Sequence, residues 1–514
     1  MRAVAIDAVT EDNPRGFECD VVVAGGGPVG CWLAAELKTA GVDVVVLEER
    51  AERDPHSKAL TVLPRTLELL AMRGIVRDWL DTGVPVPSSH FALMNTRLDF
   101  SVLDTRYPYA LFFPQARTTE LLEQHATSLG VSLLREHTVT GAVQDADWVT
   151  VTAATPAGSV VLRARYVVGC EGGSSPIRKS AQIDFVGSPA TLHFVAGDVA
   201  LSDPPDAPTV SLSNDAGALF IVRLGENVFR MAPIDLATMH EVRTGPPTLA
   251  ELRAAVTRVA GTDYGMHTPR WLTRFGNATL QAARYRAGRL LLAGDSAHLF
   301  PPLGGQGLNL GLQDATNLAW KLAACVQGRA PARLLDTYHA ERHPIGAQVV
   351  DDTLAQMALI ANSTREGRAL RKRFEAVLGS HASVNREFAL RLAGLGTGYR
   401  EEGSDEHPLV GYRVPDLDLD GAAVPSIFGL LTGARFVLLD LTGGRLHLAG
   451  SGRLADRMDV VAGRLVDRPP DWSGVQALLI RPDGYVAWAT DDPIRASARA
   501  QSALSCSLDL RDGK

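Results

Sequence analysis

Short apolar runs separated by helical patterns recur along the chain, and this alternation is typical of α/β proteins. Asp20–Ala24 predicts a buried strand, and a glycine-rich turn after it opens the helical pattern Cys31–Leu37. Further buried strands are predicted at Val44–Leu47, Tyr166–Cys170 and Leu290–Ala293. The pattern therefore predicts an α/β fold that is assembled from separated segments, residues 18–180 and 276–400.

The pattern changes between these two segments, over residues 181–275. Strands are predicted at Phe194–Leu201 and Ala218–Arg223, and a turn at Gly225–Asn227 leads into Val228–Met231 as a hairpin. Leu249–Val259 predicts an amphipathic helix. We therefore expect a β-rich domain inserted into the first one, and ligand pockets favour such domain interfaces.

The C-terminal part of the chain is predicted to form a separate domain. Residues 340–400 are mostly helical in pattern, and the polar stretch 401–408 predicts a linker. Strands follow at Phe436–Asp440, Met458–Val461 and Ala477–Ile480, which predicts a domain over residues 409–514. Residues 1–17 predict a disordered leader.

Composition narrows the class of protein. The chain has 514 residues, of which 46% are hydrophobic and 21% charged, and a formal net charge of −7. These values are ordinary for a globular protein of two or three domains. The chain has no dense basic tract, so nucleic acid is not an expected partner. It has neither an apolar run of about 18 residues nor an apolar signal core, so we expect no membrane partner and a cytoplasmic location.

The five cysteines are scattered and form no CxxC pair. Disulfides and a structural zinc are therefore not expected, and the dispersed histidines predict no metal site. Cys506 is alone in the C-terminal region, so dithiol redox chemistry is not predicted there.

The first glycine turn carries the spacing of a dinucleotide-binding fingerprint. Gly25 permits the tight turn, Gly27 lets the backbone approach a pyrophosphate, and Gly30 allows close packing of helix on strand. Glu48, at the end of the next strand, is the acid that accepts from a ribose hydroxyl. The predicted contacts at this end are Gly25, Gly27, Pro28, Val29, Gly30, Glu48 and Glu49.

A distant second motif, Gly294–His298, precedes HLFPPLGGQGLNLG at residues 298–311. Together with the first turn, it resembles the FAD-dependent aromatic hydroxylases, the single-component flavoprotein monooxygenases typified by para-hydroxybenzoate hydroxylase. The resemblance places Asp295 on the flavin ribityl chain, Pro302 on the reacting face, and the amides of Leu308 and Asn309 at the pyrimidine end. Gly305 and Gly307 belong to the same expected site.

A third motif, Glu171–Gly172, resembles the Asp-Gly motif of that family, with Glu171 one methylene longer and Ser174 where relatives often have arginine. The resemblance also implies flavin contacts from Gln115 and Lys58. It further implies a Rossmann-like FAD-binding domain, a β-rich substrate domain and a thioredoxin-like C-terminal domain.

The resemblance implies a function as well. FAD would be reduced by transiently docked NAD(P)H, and O2 would yield a flavin C4a-hydroperoxide that hydroxylates an aromatic substrate, phenolic and of the polycyclic polyketide type. Baeyer–Villiger oxygenation, antibiotic modification and a non-redox FAD-binding role are the alternatives. No catalytic residue is assigned, although His193, Arg223 and Arg230 lie in the insert. The oligomeric state is left open between monomer and homodimer.

Overall fold

The structure is a computed structural model and describes residues 17–400, 403–446, 458–492 and 502–503. The predicted leader lies outside the described residues except for Phe17, and so does Cys506. In chain order the helices are α1 (Pro28–Thr39), α2 (Pro64–Met72), α3 (Arg77–Leu80), α4 (Gln115–Ser128), α5 (Pro176–Ser180), α6 (Leu249–Ala260), α7 (Gln306–Val326), α8 (Asp336–Ala361), α9 (Arg365–Ser380), α10 (Ala382–Ala393) and α11 (Ile427–Leu430).

A mostly parallel sheet forms the centre of the first domain, with its strands numbered in chain order. β1, β2, β8, β11 and β20 are parallel, and the antiparallel strands β9, β10 and β19 extend the sheet. The main path runs β19-β20-β11-β1-β2-β8. The bounds are β1 (Phe17–Ala24), β2 (Val44–Leu47), β8 (Ser132–Leu134), β9 (Thr138–Gln144), β10 (Val149–Thr155), β11 (Gly158–Gly169), β19 (Arg286–Ala287) and β20 (Leu290–Leu292).

The inner strands are apolar because helices cover the sheet. All four residues of β2 are buried, and α1 buries Gly30 to Leu37. Helix α7 is buried along nearly its whole length. The tryptophan Trp32 on α1 donates through Nε1 to Thr316 Oγ1 on α7 at 2.7 Å, which fixes the two helices to each other.

The insert is a five-stranded sheet in the order β14-β15-β16-β13-β17. The predicted hairpin is present, with Val222 opposite Arg230, and the predicted helix is α6. The prediction lacked β14 and β17, which form the two edges of this sheet. The bounds are β13 (His193–Leu201), β14 (Thr209–Asn214), β15 (Gly217–Gly225), β16 (Val228–Asp235) and β17 (Met266–Gly276).

Three smaller sheets lie outside the central sheet and the insert sheet. Their strands are β3 (Thr61–Val62), β4 (Val84–Val86) and β7 (Ala110–Phe112) in one sheet; β5 (Ser88–His90) and β6 (Arg97–Asp99) in a second; and β12 (Phe185–Ser188), β18 (Thr279–Ala282) and β21 (His298–Leu299) in a third.

The C-terminal domain has a four-stranded sheet in the order β24-β23-β26-β27. β23 is parallel to β24 and antiparallel to β26, the arrangement of a thioredoxin-like core. Within the described residues no helix is long and apolar enough to cross a membrane. The predicted α/β fold class is confirmed, whereas the domain boundaries stay predictions. The bounds are β22 (Leu419–Asp420), β23 (Phe436–Asp440), β24 (Met458–Ala462), β25 (Arg464–Leu465), β26 (Ala477–Ile480) and β27 (Val486–Thr490).

Candidate functional site

The three sequence motifs meet at one edge of the central sheet. They follow the carboxyl ends of β1, β11 and β20, which are neighbours in the sheet. The Cys170 amide donates to Ala24 O at 2.7 Å, and the Ala293 amide donates to Gly169 O at 3.0 Å. Ligands of open α/β sheets bind at the carboxyl ends of the strands. Segments far apart in sequence therefore form a single ligand-binding edge.

The glycine turn leaves room for a ligand at one position and none at the others. A Cβ on Gly25, whose φ is +101°, would lie 2.5 Å from Cys170 O, and a Cβ on Gly30 would lie 1.9 Å from Gly25 O. A Cβ on Gly27 would meet nothing within 4 Å. Gly27 is the N-cap of α1, and no side chain forms a capping hydrogen bond at this end of the helix. This open position at a helix N-terminus suits a phosphate.

The first and second motifs touch each other through Val29 of α1. A Cβ on Gly294 would lie 3.1 Å from Val29 Cγ2, and a Cβ on Gly311 would lie 2.6 Å from the same atom. Only glycine lets the loop and α7 approach α1 this closely. The first and second motifs are thus in direct packing contact.

Glu48 lies beside the glycine turn, as its place at the end of β2 predicts. Its Oε2 accepts from the Gly26 amide at 2.7 Å, and its Oε1 accepts from the Arg50 amide at 3.0 Å. Each carboxylate oxygen keeps a lone pair for a further donor. The cleft that contains Glu48 is also lined by Gly27, Lys58 and Gln115. Glu49 is exposed, and Pro28 is half-buried at the start of α1.

Gln115 shapes this cleft through the chain segment opposite it. The side-chain Oε1 of Gln115 accepts from the Ala59 backbone amide at 2.9 Å, and the Gln115 backbone amide donates to Ala59 O at 2.9 Å. The preceding residue, Lys58, is exposed, and its charge acts on Asp295. Gln115 and Lys58 therefore come from two segments that pair with each other, and the Lys58 segment lies within electrostatic range of Asp295.

Asp295 lies beside the first turn of α7, since a Cβ on Gly307 would be 3.9 Å from Asp295 Oδ1. The Asp295 side chain is exposed. The surrounding protein removes part of its solvation, which raises the pKa of the carboxyl, whereas the charges of His298 and Lys58 act to lower it. No hydrogen bond or ion pair is found for this carboxylate within the described part of the chain. An unpaired acid in a cleft is suited to a polyhydroxyl chain.

The N-terminus of α7 presents unpaired amides next to Asp295. The first amides of a helix lack intrahelical partners, which here includes Gly305, Gly307 and Leu308. The Asn309 side chain is buried and fully used: its Oδ1 accepts from the Leu63 amide at 2.8 Å, and its Nδ2 donates to Thr61 O at 3.1 Å. Any ligand contact of Asn309 is therefore through its backbone. Pro302, just before this turn, is exposed.

His298, the last residue of the second motif, anchors the loop beneath the cleft. Its Nε2 is 2.6 Å from Asp314 Oδ2, and Arg342 Nε donates to Asp314 Oδ1 at 2.8 Å. Burial alone would raise the pKa of Asp314, but the Arg342 and His298 charges hold it below the usual range. This buried trio positions Asp295 without reaching the cleft itself.

The Glu171 carboxylate is turned toward protein groups. Its Oε1 accepts from the Ile177 amide at 2.8 Å, and its Oε2 accepts from Ser296 Oγ at 3.1 Å. The Gly172 amide donates to Ser296 Oγ at 3.1 Å, and a Cβ on Gly172 would meet nothing within 4 Å. Burial raises the pKa of Glu171 above its usual range. The extra methylene thus joins the third motif to the second, and Gly172 faces open space.

Three polar residues of the insert either contact other protein groups or are exposed. Arg230 forms a buried two-point ion pair with Asp198, at 2.6 and 2.8 Å, and its guanidinium also donates to Ser57 O. Arg223 is exposed. The amide of half-buried His193 donates to Met239 O at 2.7 Å. None of the three is assigned a catalytic role.

Comparison with known proteins identifies the family of this cleft. Residues 18–353 match the model described as FAD binding domain, and residues 407–509 match the one described as aromatic-ring hydroxylase, C-terminal. The chain belongs to the FAD-dependent aromatic-ring hydroxylases. The predicted family and cofactor are confirmed, and the protein is an FAD-dependent monooxygenase by family.

Individual relatives cover nearly the whole chain. A 12-dehydrotetracycline 5-monooxygenase/anhydrotetracycline 6-monooxygenase of Streptomyces rimosus is 44% identical over 91% of this chain and 95% of its own length. The structure of OxyS anhydrotetracycline hydroxylase from Streptomyces rimosus has a TM-score of 0.86 and 41% identity, covering 95% of this chain and 99% of that one. A dialkyldecalin synthase of Streptomyces rugosporus is 38% identical over 93% of this chain and 97% of its own.

The role of Asp295 can be tested directly by substitution. We expect Asp295→Ala to lower FAD affinity by about tenfold, because the cofactor hydroxyl facing it would lose an ionised acceptor. The measurement is a fluorescence titration of the apoprotein with FAD. Asp336→Ala is the matched control, since that carboxylate is exposed and paired with Arg286 instead. Equal FAD affinities for Asp295→Ala and wild type would contradict the assignment.

Proposed function

We propose that this protein hydroxylates a polycyclic aromatic phenol, using NAD(P)H as the electron donor and O2 as the oxygen source. The observation that carries the proposal is the junction of the glycine turn with the Asp295 loop through Val29. It brings the open position at Gly27 and the N-terminus of α7 to the same edge of the sheet, where one extended cofactor would reach both. The names of the tetracycline-modifying relatives support the substrate class.

We assign FAD to this cleft along its length. The pyrophosphate would lie at Gly27 and the start of α1, and the adenosine ribose would lie at Glu48. Asp295 would accept from the ribityl chain, and the α7 amides, led by Leu308, would face the pyrimidine end of the ring. Gly25, Pro28, Val29, Gly30, Glu49, Lys58, Gln115, Glu171, Gly172, Pro302, Gly305, Gly307 and Asn309 complete the proposed surroundings.

Bound FAD supplies the oxygen-activating chemistry. The protein's part is to hold the ring, orient the substrate and exclude water. The α7 N-terminus stabilises negative charge through its dipole and free amides. The apolar face of the insert sheet, which bears Phe194, Phe220 and Phe275, closes the side that water would otherwise reach.

A non-redox role is the second candidate, because a specific observation favours it. One relative, 38% identical over 93% of this chain, is named a dialkyldecalin synthase and not a monooxygenase. The Glu171 carboxylate also points to α5 and Ser296 rather than outward. Baeyer–Villiger oxygenation and antibiotic modification use the same cleft, and they differ in product and in biological role.

The deciding experiment supplies the FAD-loaded protein with NADH or NADPH under 18O2 and a panel of polycyclic phenols. We expect substrate-stimulated oxidation of the nicotinamide and a product heavier by one 18O on an aromatic carbon. Oxygen inserted beside a ketone would indicate the Baeyer–Villiger alternative. A flavin that no nicotinamide reduces, with or without substrate, would contradict the proposal and favour the non-redox role.

The remaining sequence-based expectations stay predictions. They are the choice of nicotinamide, a monomeric or homodimeric state, a cytoplasmic location and the absence of a nucleic-acid partner. Size-exclusion chromatography with light scattering would determine the oligomeric state.

A further inference from the structure

The insert sheet buries two different faces. Leu219 and Ile221 on β15 pack with α6, whereas Ala218 and Phe220 on the same strand pack in a second apolar cluster. Successive residues of a strand point to opposite faces, so this division follows from the period of two. The second cluster also contains Leu63 and Leu303, which lie beside the α7 N-terminus. It therefore extends from the proposed flavin position to the insert sheet. We call it the insert-facing cluster.

A strained loop, Phe91–Met94, lies within the insert-facing cluster. Ala92 and Leu93 have φ values of +53° and +52°, which residues with a Cβ seldom adopt. Arg371 on α9 donates to Ala92 O at 2.8 Å and to Leu93 O at 3.0 Å. Backbone strain of this kind persists only where surrounding contacts fix it, and it concentrates at ligand sites.

His90 immediately precedes this loop. Its Nδ1 is buried and has no hydrogen-bond partner, and its ring stands edge-on to Phe220 with centroids 5.7 Å apart. Burial and, to a smaller extent, the Arg97 charge across the β5–β6 pair lower the pKa of His90 to about 4. The ring is therefore neutral at pH 7, with one nitrogen able to accept a hydrogen bond.

Gln356 on α8 carries a second unpaired atom next to the same loop. Its Oε1 accepts from the Ala92 amide at 3.1 Å, which leaves Nε2 as the buried donor without a partner. The side chain is only 1% exposed. Leaving a buried polar group unpaired costs about 1–3 kcal/mol. His90 Nδ1 and Gln356 Nε2 lie beside the same strained loop, and each would gain a hydrogen bond from a polar ligand group placed between them.

We propose that His90 Nδ1 and Gln356 Nε2 bind one phenolic hydroxyl of the aromatic substrate. The hydroxyl donates to the imidazole nitrogen and accepts from the amide, so both unpaired atoms gain a partner. The aromatic body of the substrate then lies against Phe220 and the rest of the insert-facing cluster. This assignment rests on the proposed function and gives the pocket a group that distinguishes phenols from unsubstituted rings.

The test compares the binding of 2,6-dihydroxyanthraquinone, whose hydroxyls have no internal hydrogen-bond partner, and anthraquinone to the FAD-loaded protein, followed by flavin absorbance. For the wild type we expect at least a tenfold preference for the hydroxylated probe. His90→Phe should remove most of this preference, and Gln356→Met should reduce it. His90→Asn should restore part of it, because the asparagine side chain places a polar atom near the position of Nδ1.

Two matched substitutions control for general effects of the changes. His240→Phe lies in the insert and Gln348→Met lies on α8, and both side chains are exposed. Both controls should keep the wild-type preference, and the FAD content should be equal in all variants. A wild type without preference, or His90→Phe and Gln356→Met variants that retain it, would overturn the inference. Oxygenation that continues despite that result would leave the proposed function standing.

Discussion

The Gly30→Ala variant is expected to lose bound FAD and to unfold at a lower temperature than the wild type. The added Cβ would lie 1.9 Å from Gly25 O, a backbone atom that cannot rotate away. Helix α1 would have to move off the glycine turn, at a cost of about 3 kcal/mol from overpacking. Thermal unfolding and the flavin absorbance of the purified protein measure the two effects.

Gly27→Ala is the matched control for this prediction. The backbone at Gly27 is extended, with φ −70°, and its Cβ would occupy open space, so the apoprotein should keep its unfolding temperature. The methyl group would instead stand where we place the pyrophosphate, and FAD affinity should fall by at least tenfold. A Gly30→Ala protein with normal stability and FAD content would refute the packing argument. An unchanged FAD affinity in Gly27→Ala would refute the phosphate position.

The second large effect is expected at the junction of the C-terminal domain with the first domain. Glu341 on α8 accepts from Arg481 at 2.8 Å through both of its oxygens, and from Lys321 at 2.7 Å. Glu341→Gln keeps the shape of the side chain but removes the negative charge that pairs with the buried Arg481 and Lys321. We expect the free energy of unfolding in urea to fall by about 3 kcal/mol.

Glu387→Gln provides the control, because Glu387 pairs with Arg391 on the exposed surface of α10. Its effect should stay below about 0.5 kcal/mol. If Glu341→Gln were as mild as Glu387→Gln, the junction would not contribute to stability as the geometry implies.

The pH dependence of this effect follows from the same contacts. Burial alone would raise the pKa of Glu341, but the Arg481 and Lys321 charges hold it well below its usual value of 4.5. A lowered pKa in the folded state contributes stability above the unfolded value, and this contribution is lost as the pH falls. The difference between wild type and Glu341→Gln should therefore shrink below about pH 4.5.

The sequence was sufficient for the parts of the site that depend on local backbone rules. The glycine turn, Glu48 and the Asp295 loop each follow a short buried strand, and at Gly25 and Gly30 an added Cβ would overlap backbone atoms. The resemblance implied that the glycine turn and the Asp295 loop belong to one FAD site, whereas the packing of Gly294 against Val29 is visible only in the structure. The hairpin and α6 of the insert were predicted because their periodicity is strong.

Other features of the structure could not be predicted from the local sequence pattern. Strand β17 was not predicted because it is an edge strand, largely solvent-exposed over its first half and bearing Pro269, which edge strands tolerate. Arg481 and Glu341 are 140 positions apart, and charged residues on a helix usually indicate a solvated face. His90 and Gln356 belong to no motif, and they attract attention only through their unpaired atoms in the folded protein.

The crystal structure of the protein with FAD tests the central claim most directly. We expect one FAD per chain, with its pyrophosphate at Gly27, its ribityl chain at Asp295 and its ring against the N-terminus of α7. A dinucleotide that contacts the glycine turn but not the Asp295 loop, or one that binds elsewhere, would contradict the account.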